Sequence, residues 1–478
     1  MNPEFLSRLQ FALTASFHFI FPPISMGLGL LMVWMAWKYV RTKDPVWRQA
    51  SFFWTKVYGL VFALGIATGV VQEFAFGMNW SQYSRFVGNV FGSLLAAEGV
   101  FAFFLEGGFL GLMLFGGERL GPRMWLLATS LVVFGAHFSA LWILMANSWM
   151  QTPEGFTTQM TQWGNQAFMT DFGSVVFTPS FIPRLLHTWA ASWMIGAALV
   201  LSVSAWYQLK NRHKEFARKN FSMALKFFTV MAVLQVLIFG AQMAIAVTKN
   251  QEPKLAAMEG TWEKDTCAPL YLVGWVNEAD QTTVGLKVPC LLSFLSYGSF
   301  DAAVPGLTDF PENKWAPVNL TFQAYHVMID LAFLFPLIGV VSWFVWRRRK
   351  GERMPRWLLW TCVSTVFLAE VATIAGWWTA EIGRQPWIVW DVLRTDEAVS
   401  PTLTTPQVFL SLVMFALLYA LLLALFLFLL DRKIKHGPEE PEPPGHETGL
   451  PDTFRELFSR RSQARASGEL ELEDHVAR

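Results

Sequence analysis

The sequence predicts an all-α, polytopic membrane bundle of nine transmembrane helices, with the N-terminus outside and the C-terminus cytoplasmic. Three observations predict it. Of 478 residues, 53% are hydrophobic and 15% charged, with a mean hydropathy of +0.35, too apolar for a soluble domain of this length. Apolar windows of about 20 residues, enough to cross a hydrocarbon core of about 30 Å, recur along the chain. The Lys and Arg residues fall in alternate connecting loops, as the positive-inside rule requires.

The windows lie at 11–37, 52–75, 92–115, 123–147, 184–207, 222–247, 319–346, 357–379 and 405–430. Span one is too long for the apolar region of a signal peptide and has no basic stretch before it, so it is expected to be retained. Lys38, Arg41, Lys43 and Arg48 follow it, putting that loop inside. Arg119 and Arg123 follow span three, and Lys210, Arg212, Lys214, Arg218 and Lys219 follow span five. Arg347, Arg348, Arg349, Lys350 and Arg353 follow span seven, and Arg432, Lys433 and Lys435 follow span nine. The expected organisation is therefore helices one to six over 1–248, an outside loop over 249–318, helices seven to nine over 319–435 and a tail over 436–478. The tail begins HGPEEPEPPGHETG and has too few apolar residues for a core; it reads as partly disordered, with Phe454–Arg465 either a basic surface helix or solvated chain. No solenoid-period repeat and no matched pair of interrupted helices is visible.

An outside loop of this length is functional or disordered. Its KLAAMEGTWEKD segment reads as an amphipathic helix in which Lys254 and Glu259 stand on a solvated face or form a polar clamp for a ligand. Cys267 and Cys290 fall in the same loop, where a disulfide is permitted, whereas Cys362 inside span eight reads as a small core residue.

The chemistry must come from the few polar side chains in the spans. The densest group is GWWTAEIGRQPW, Gly376–Trp387, where Glu381 and Arg384 sit among Trp377, Trp378 and Trp387; a carboxylate beside a guanidinium at a membrane edge is costly unless it binds something. Four histidines lie in or near spans: His18, His137, His187 and His326. Each taken singly reads equally well as a residue that bonds a neighbouring carbonyl. At 1.5 Å per residue, His18, Glu98, His187 and Met328 lie roughly 10, 9, 5 and 14 Å below the outer ends of their helices, and Glu381 lies at such an end. Donors converging in one half of a bundle build a cofactor site. A His and a Met on separate helices suit a low-spin haem, and a single His or Glu with an open position suits one that binds oxygen. Glu98 and Glu106 stand about 12 Å apart along their helix and about 80° around it, as steps of a proton path or as partners in interhelical hydrogen bonds. Glu370 and Glu381 lie within about 20° of one face and can share a polar channel. The same residues also suit a cofactor-free proton-coupled transporter, or a membrane protein that carries haem without turnover.

The segments SRLQFALTASFHFIF, NVFGSLLAAEGVFAFFLEGGF, FSALWILMANSWMQ, RLLHTWAASWMIGA, KLAAMEG and AEIGRQPW resemble subunit I of the cytochrome bd quinol oxidases over nearly the whole membrane part. The resemblance implies a quinol:oxygen oxidoreductase of the bacterial inner membrane that reduces dioxygen to water and separates charge without pumping. Its implied cofactors are a low-spin haem b, a high-spin haem b, and a haem d or a further haem b in its place. It implies that His187 and Met328 ligate the low-spin haem, and His18 and Glu381 the two high-spin haems, with Glu98 beside the oxygen-reducing one and Trp377 between cofactors. Arg384 and His326 join the cofactor-binding set, Lys254 and Glu259 match the quinol pair, Glu106 and Ser139 match the proton route, and Glu370 joins the buried acids. The implied partners are a second membrane subunit (subunit II), a small single-helix subunit, quinol and dioxygen, with no nucleic acid. Two features depart from many members: His326 stands where they carry arginine, with Asp330 one turn later, and the outside loop is short. A titrating imidazole holds a haem propionate less dependably than a fixed guanidinium. Both features resemble the cyanide-insensitive branch and leave open whether the oxygen site holds haem d or haem b.

Overall fold

The structure, a computed structural model, describes residues 2–99, 104–116, 120–352 and 354–439. The centre of expected span three, Arg119, Arg353 and the tail beyond residue 439 lie outside the described residues.

Prolines set most of the helix starts, because the first turn has no use for the amide proton that proline lacks. Helix α1 (Pro3–His18) is capped by Asn2, whose side chain accepts from Phe5 N, and Pro22 and Pro23 open α2 (Phe21–Thr42). The expected first span is thus interrupted at Phe19–Ile20, and His18 stands at the break. Asp44 caps α3 (Pro45–Met78). Helix α4 (Ser81–Ala97) and α5 (Phe104–Gly116) flank the undescribed part of span three, and α6 (Pro122–Gln151) follows. A two-stranded hairpin, β1 (Phe156–Thr161) and β2 (Gly164–Met169), and the short α7 (Phe172–Val176) lead into α8 (Phe181–Leu209). Helix α9 (Lys214–Leu234) runs through a π segment, Gln235–Gly240, into α10 (Ala241–Asn250).

The long loop is ordered. It holds α11 (Glu252–Glu259), the antiparallel strands β3 (Leu270–Asn277) and β4 (Thr282–Val288), and α12 (Leu291–Tyr297), tied by a disulfide between Cys267 and Cys290. Helices α13 (Val318–Arg348) and α14 (Arg356–Ile382) return through the bundle. A small hairpin, β5 (Trp387–Val389) and β6 (Leu393–Arg394), then leads through α15 (Thr395–Ala398) to α16 (Thr405–His436). Among the described residues, eight helical runs are long and apolar enough to cross a membrane, and they coincide with expected spans one, two and four to nine.

The basic connections gather at one end of the bundle. Lys219 at the start of α9 pairs with Asp44 between α2 and α3, and the Tyr207 hydroxyl donates to Ile434 O near the end of α16 (2.7 Å). Lys56 and Lys433 both reach Glu439. The 249–317 loop occupies the opposite end, called the loop end below. The core runs between the two ends through Leu28, Met35, Trp54, Tyr58, Ala198, Phe221 and Phe228. Its tightest point is the crossing of α2 and α8, where Gly27 and Gly196 leave the two backbones in contact: a Cβ on Gly196 would overlap the Gly27 carbonyl carbon and the Leu28 nitrogen. Small residues are how membrane helices approach this closely. Gly196→Leu is therefore expected to force the helices apart and lower the thermal midpoint of the purified protein, where Ala197→Gly should change it far less; equal midpoints would show the crossing to be plastic.

Candidate functional site

At the loop end, Gly260 at φ +64° stops α11 after two turns, so the TWEKD part of the expected amphipathic helix is not helical. The helix is also not amphipathic. Lys254 and Glu259 are each 2% exposed, with Leu255, Ala256, Ala257 and Met258 buried between them, which rules out a solvated face. Lys254 donates through Nζ to Ala380 O (2.9 Å) and Gln151 Oε1 (3.1 Å), and its stem lies over Gly383. Gln151 also donates to Ala380 O (3.1 Å), and Gln251 donates to Gln151, so the end of α6, the start of α11 and the end of α14 are knotted around one ammonium. Glu259 meets the Tyr325 hydroxyl, and its Oε2 is buried with no hydrogen-bond partner. Burial pushes the Glu259 carboxyl up to about 7, against the opposing effect of the Tyr325 hydrogen bond.

Glu381 pairs with Arg384 one turn later and accepts from Asn147 Nδ2 (2.9 Å). Lys254 and Arg184 of α8 lie close enough to feel these charges. Two buried guanidiniums and the buried Lys254 amine thus lie near one carboxylate. Burial and the Arg184 charge hold Lys254 well below its ordinary range, while Glu381 opposes them. Arg184 Nε and Nη2 are buried without a partner. Such a cluster calls for further anions. Haem brings propionates, and the residues present fit it.

The axial candidates are held accordingly. Gln235, which opens the π segment, sets its side-chain amide 3.0 Å from His187 Nδ1 and so orients the ring; ligation through Nε2 requires Nδ1–H to donate to that amide's oxygen. Met328 lies against α14 where Gly376 leaves space: a Cβ there would stand 2.7 Å from Sδ. His18 Nδ1 is 2.9 Å from Thr68 Oγ1, and that hydroxyl donates onward to Leu64 O (2.8 Å). The hydroxyl must therefore accept from Nδ1–H, which leaves the lone pair of a neutral His18 on Nε2. Trp377 packs against Phe11 and Phe19, with ring centroids 6.2 and 6.4 Å away.

The other expected residues find these partners. Ser139 donates to Glu98 (2.5 Å), and Glu106 accepts from the Tyr58 hydroxyl (2.6 Å). Glu370 shares no partner with Glu381, and both its oxygens are buried without a hydrogen bond. His326 has no nitrogen to offer a propionate: Nδ1 faces Phe322 O (2.8 Å) and Nε2 faces Tyr271 O (3.0 Å). His137 is likewise occupied, by Val133 O and by Trp193 Nε1. Sequence reasoning missed Arg184, Asn147, Gln151, Gln235, Thr68 and Tyr58. Arg184 and Gln151 carried a usable signal, since a charge or amide in an apolar helix is exceptional, as it is for Glu370; Thr68 and Tyr58 look like ordinary helix residues.

The family described as cytochrome bd terminal oxidase subunit I matches residues 6–438. The chain is 34% identical to cytochrome bd-II ubiquinol oxidase subunit 1 of Escherichia coli (strain K12), over 93% of this chain and 99% of that protein. It is 35% identical to cytochrome bd ubiquinol oxidase subunit 1 of Bacillus subtilis (strain 168), over 92% and 95%. The solved structure of bd oxidase from Geobacillus thermodenitrificans superposes with a TM-score of 0.84 at 29% identity, covering 91% of this chain and 99% of that one.

The excess of cations sets an order for two substitutions. Arg384→Gln leaves Glu381 with the Arg184 guanidinium and the Lys254 amine nearby, whereas Glu381→Gln leaves two buried guanidiniums without their carboxylate. Glu381→Gln is expected to give the larger fall in thermal midpoint, and the reverse order would refute the charge assignment.

Proposed function

The chain belongs to the cytochrome bd terminal oxidase subunit I family and so is part of a quinol:oxygen oxidoreductase, and from that premise we propose that it oxidises quinol beside Glu259 at the loop end and delivers the electrons to three haems within the bundle. A cofactor-free transporter and a haem carrier without turnover do not survive the family assignment. The low-spin haem b is held by His187 and Met328. His18 and Glu381 hold the high-spin pair, a haem b with either haem d or a second haem b. Nine crossings put the loop end outside and the basic end in the cytoplasm of a bacterial inner membrane. A second membrane subunit completes the enzyme, with room for a small single-helix one.

The haems, when bound, supply the one-electron steps and the oxygen-binding iron. The chain's own residues handle protons and charge. Glu259 accepts a quinol proton at Oε2 while Tyr325 holds the carboxyl in place. Lys254 faces the Glu381 side of α11, so it serves the cofactor cluster more directly than the quinol. Protons for water formation enter from the basic end by way of Glu106 with Tyr58 and Glu98 with Ser139, with Glu370 a further buried acid on the same bundle. Quinol protons leave outside and water protons come from inside, so charge is separated without a pump.

The observation that carries this reading is α11 itself, a buried loop helix that sets an unpartnered carboxylate oxygen on one side and a cation cluster suited to haem on the other. A dithionite-reduced minus air-oxidised optical spectrum of the purified complex tests it. His187→Ala and Met328→Leu should each remove the low-spin haem b band, and a normal band in either variant would sink the axial assignment. Glu259 works in its deprotonated form, so its rise to about 7 gives a second test. Quinol oxidation should climb about tenfold per pH unit below 7 and level off above it. Glu259→Gln should be slow and flat with pH while keeping every haem band; haem loss in that variant would assign Glu259 a structural role instead.

A further inference from the structure

Strands β3 and β4 present a face that water does not explain. Val273 pairs with Leu286 and Trp275 with Val284, and these four side chains are 65%, 66%, 63% and 72% exposed on one side of the hairpin. An antiparallel hairpin packed on a core by one face ordinarily shows polar residues on the other. Here the inward face is the small one, with Gly274 against the Phe322 ring and Val276 buried.

The hairpin also lies alongside a membrane helix rather than above it. Glu278 accepts from Asn319 N (2.8 Å), Gln323 donates to Gly274 O (2.9 Å) and His326 meets Tyr271 O (3.0 Å), so β3 runs down the first two turns of α13. Helix α13 has 31 residues, about 46 Å at 1.5 Å per residue, against a hydrocarbon core of about 30 Å. Its outermost turns therefore belong to the headgroup layer, and the hairpin shares that depth. Polarity changes along the hairpin in the same direction: the apolar pairs lie toward the bundle, and the tip at Asn277, Glu278 and Asp280 points away from it. Helix α12, which follows β4, adds Phe294 and Tyr297, both 42% exposed. One cation, Lys287, sits near the deeper end; its ammonium lies over the Tyr271 ring, as a snorkelling lysine can be accommodated.

We propose that this face of the β3–β4 hairpin, with α12 beside it, is seated in the interfacial layer of the lipid bilayer at the loop end. Trp275 and Tyr297 are the amphipathic anchors that such a layer selects, and Leu320 and Val327 of α13, the membrane-spanning helix along which β3 runs, are exposed as well. The seat fixes the height of the loop relative to the membrane, whatever the loop binds.

Site-directed spin labelling tests the seat in the complete complex reconstituted into phospholipid nanodiscs. Cys267 and Cys290 are joined and Cys362 is buried, so Val284→Cys and Asp280→Cys each give one labelling site on this chain, with the unsubstituted complex as the blank. At position 284 the nitroxide should collide more with dissolved oxygen than with a water-soluble nickel chelate, and at 280 the order should reverse. Nickel access at 284 equal to that at 280 would put the face in water and overturn the proposal. Protection at 284 from both reagents would mean that a protein subunit covers it, which also overturns the proposal. Should Val284→Cys fail to assemble, Val273→Cys on the opposite strand reads the same face.

Discussion

Much of this structure depends on one electrostatic constraint: Arg184, Lys254 and Arg384 are buried around the single carboxylate of Glu381. Leaving a buried charge uncompensated is expensive, and two guanidiniums are not balanced by one carboxylate. The protein answers partly with dipoles. Ala380 O, Gln151 and Gln251 converge on the Lys254 ammonium, and Asn147 braces Glu381. The remainder is left to whatever anion binds, so assembly of the loop end and loading of the cofactor are linked processes. Because these residues come from α6, α8, α11 and α14, the same constraint fixes how the loop docks on the bundle.

The geometry of α11 then separates two duties that the sequence runs together. Lys254 and Glu259 stand five positions apart, which at about 100° per residue leaves them about 140° apart around the axis. They cannot close on one small molecule from the same side. Lys254 turns toward the Glu381 turn, and Glu259 toward Tyr325 of α13. A helix of only two turns, stopped by a left-handed glycine, can carry both side chains while staying buried throughout, because its neighbours Ala256 and Ala257 let it lie flat in the protein.

The fold was largely legible in the sequence because hydrophobic length and loop charge are cheap, redundant signals; six of the eight described runs start at or beside a proline, and the other two, Phe172–Leu209 and Lys214–Asn250, do not. The break at Phe19–Ile20 was written in Pro22 and Pro23 but masked by the continuous apolar run around it. Of the site, the acids and histidines stood out, being rare in apolar helices, but their partners did not. Nothing in sequence spacing tells that Ser139 meets Glu98 and Tyr58 meets Glu106, since these contacts join residues 41 and 48 positions apart across separate helices. The loop was the least legible part, because its helix is buried all round and shows no periodic face.

His326 ties the loop to the membrane helix. Its ring lies stacked on Phe322 with the centroid 3.8 Å away, and its two nitrogens face main-chain carbonyls, one of them in β3. The residue is a brace between loop and membrane helix, joining the Gln323–Gly274 and Asn319–Glu278 ties along the same edge. These ties along one edge set the position of the loop against the helix beside it, so the role of the histidine here is positional.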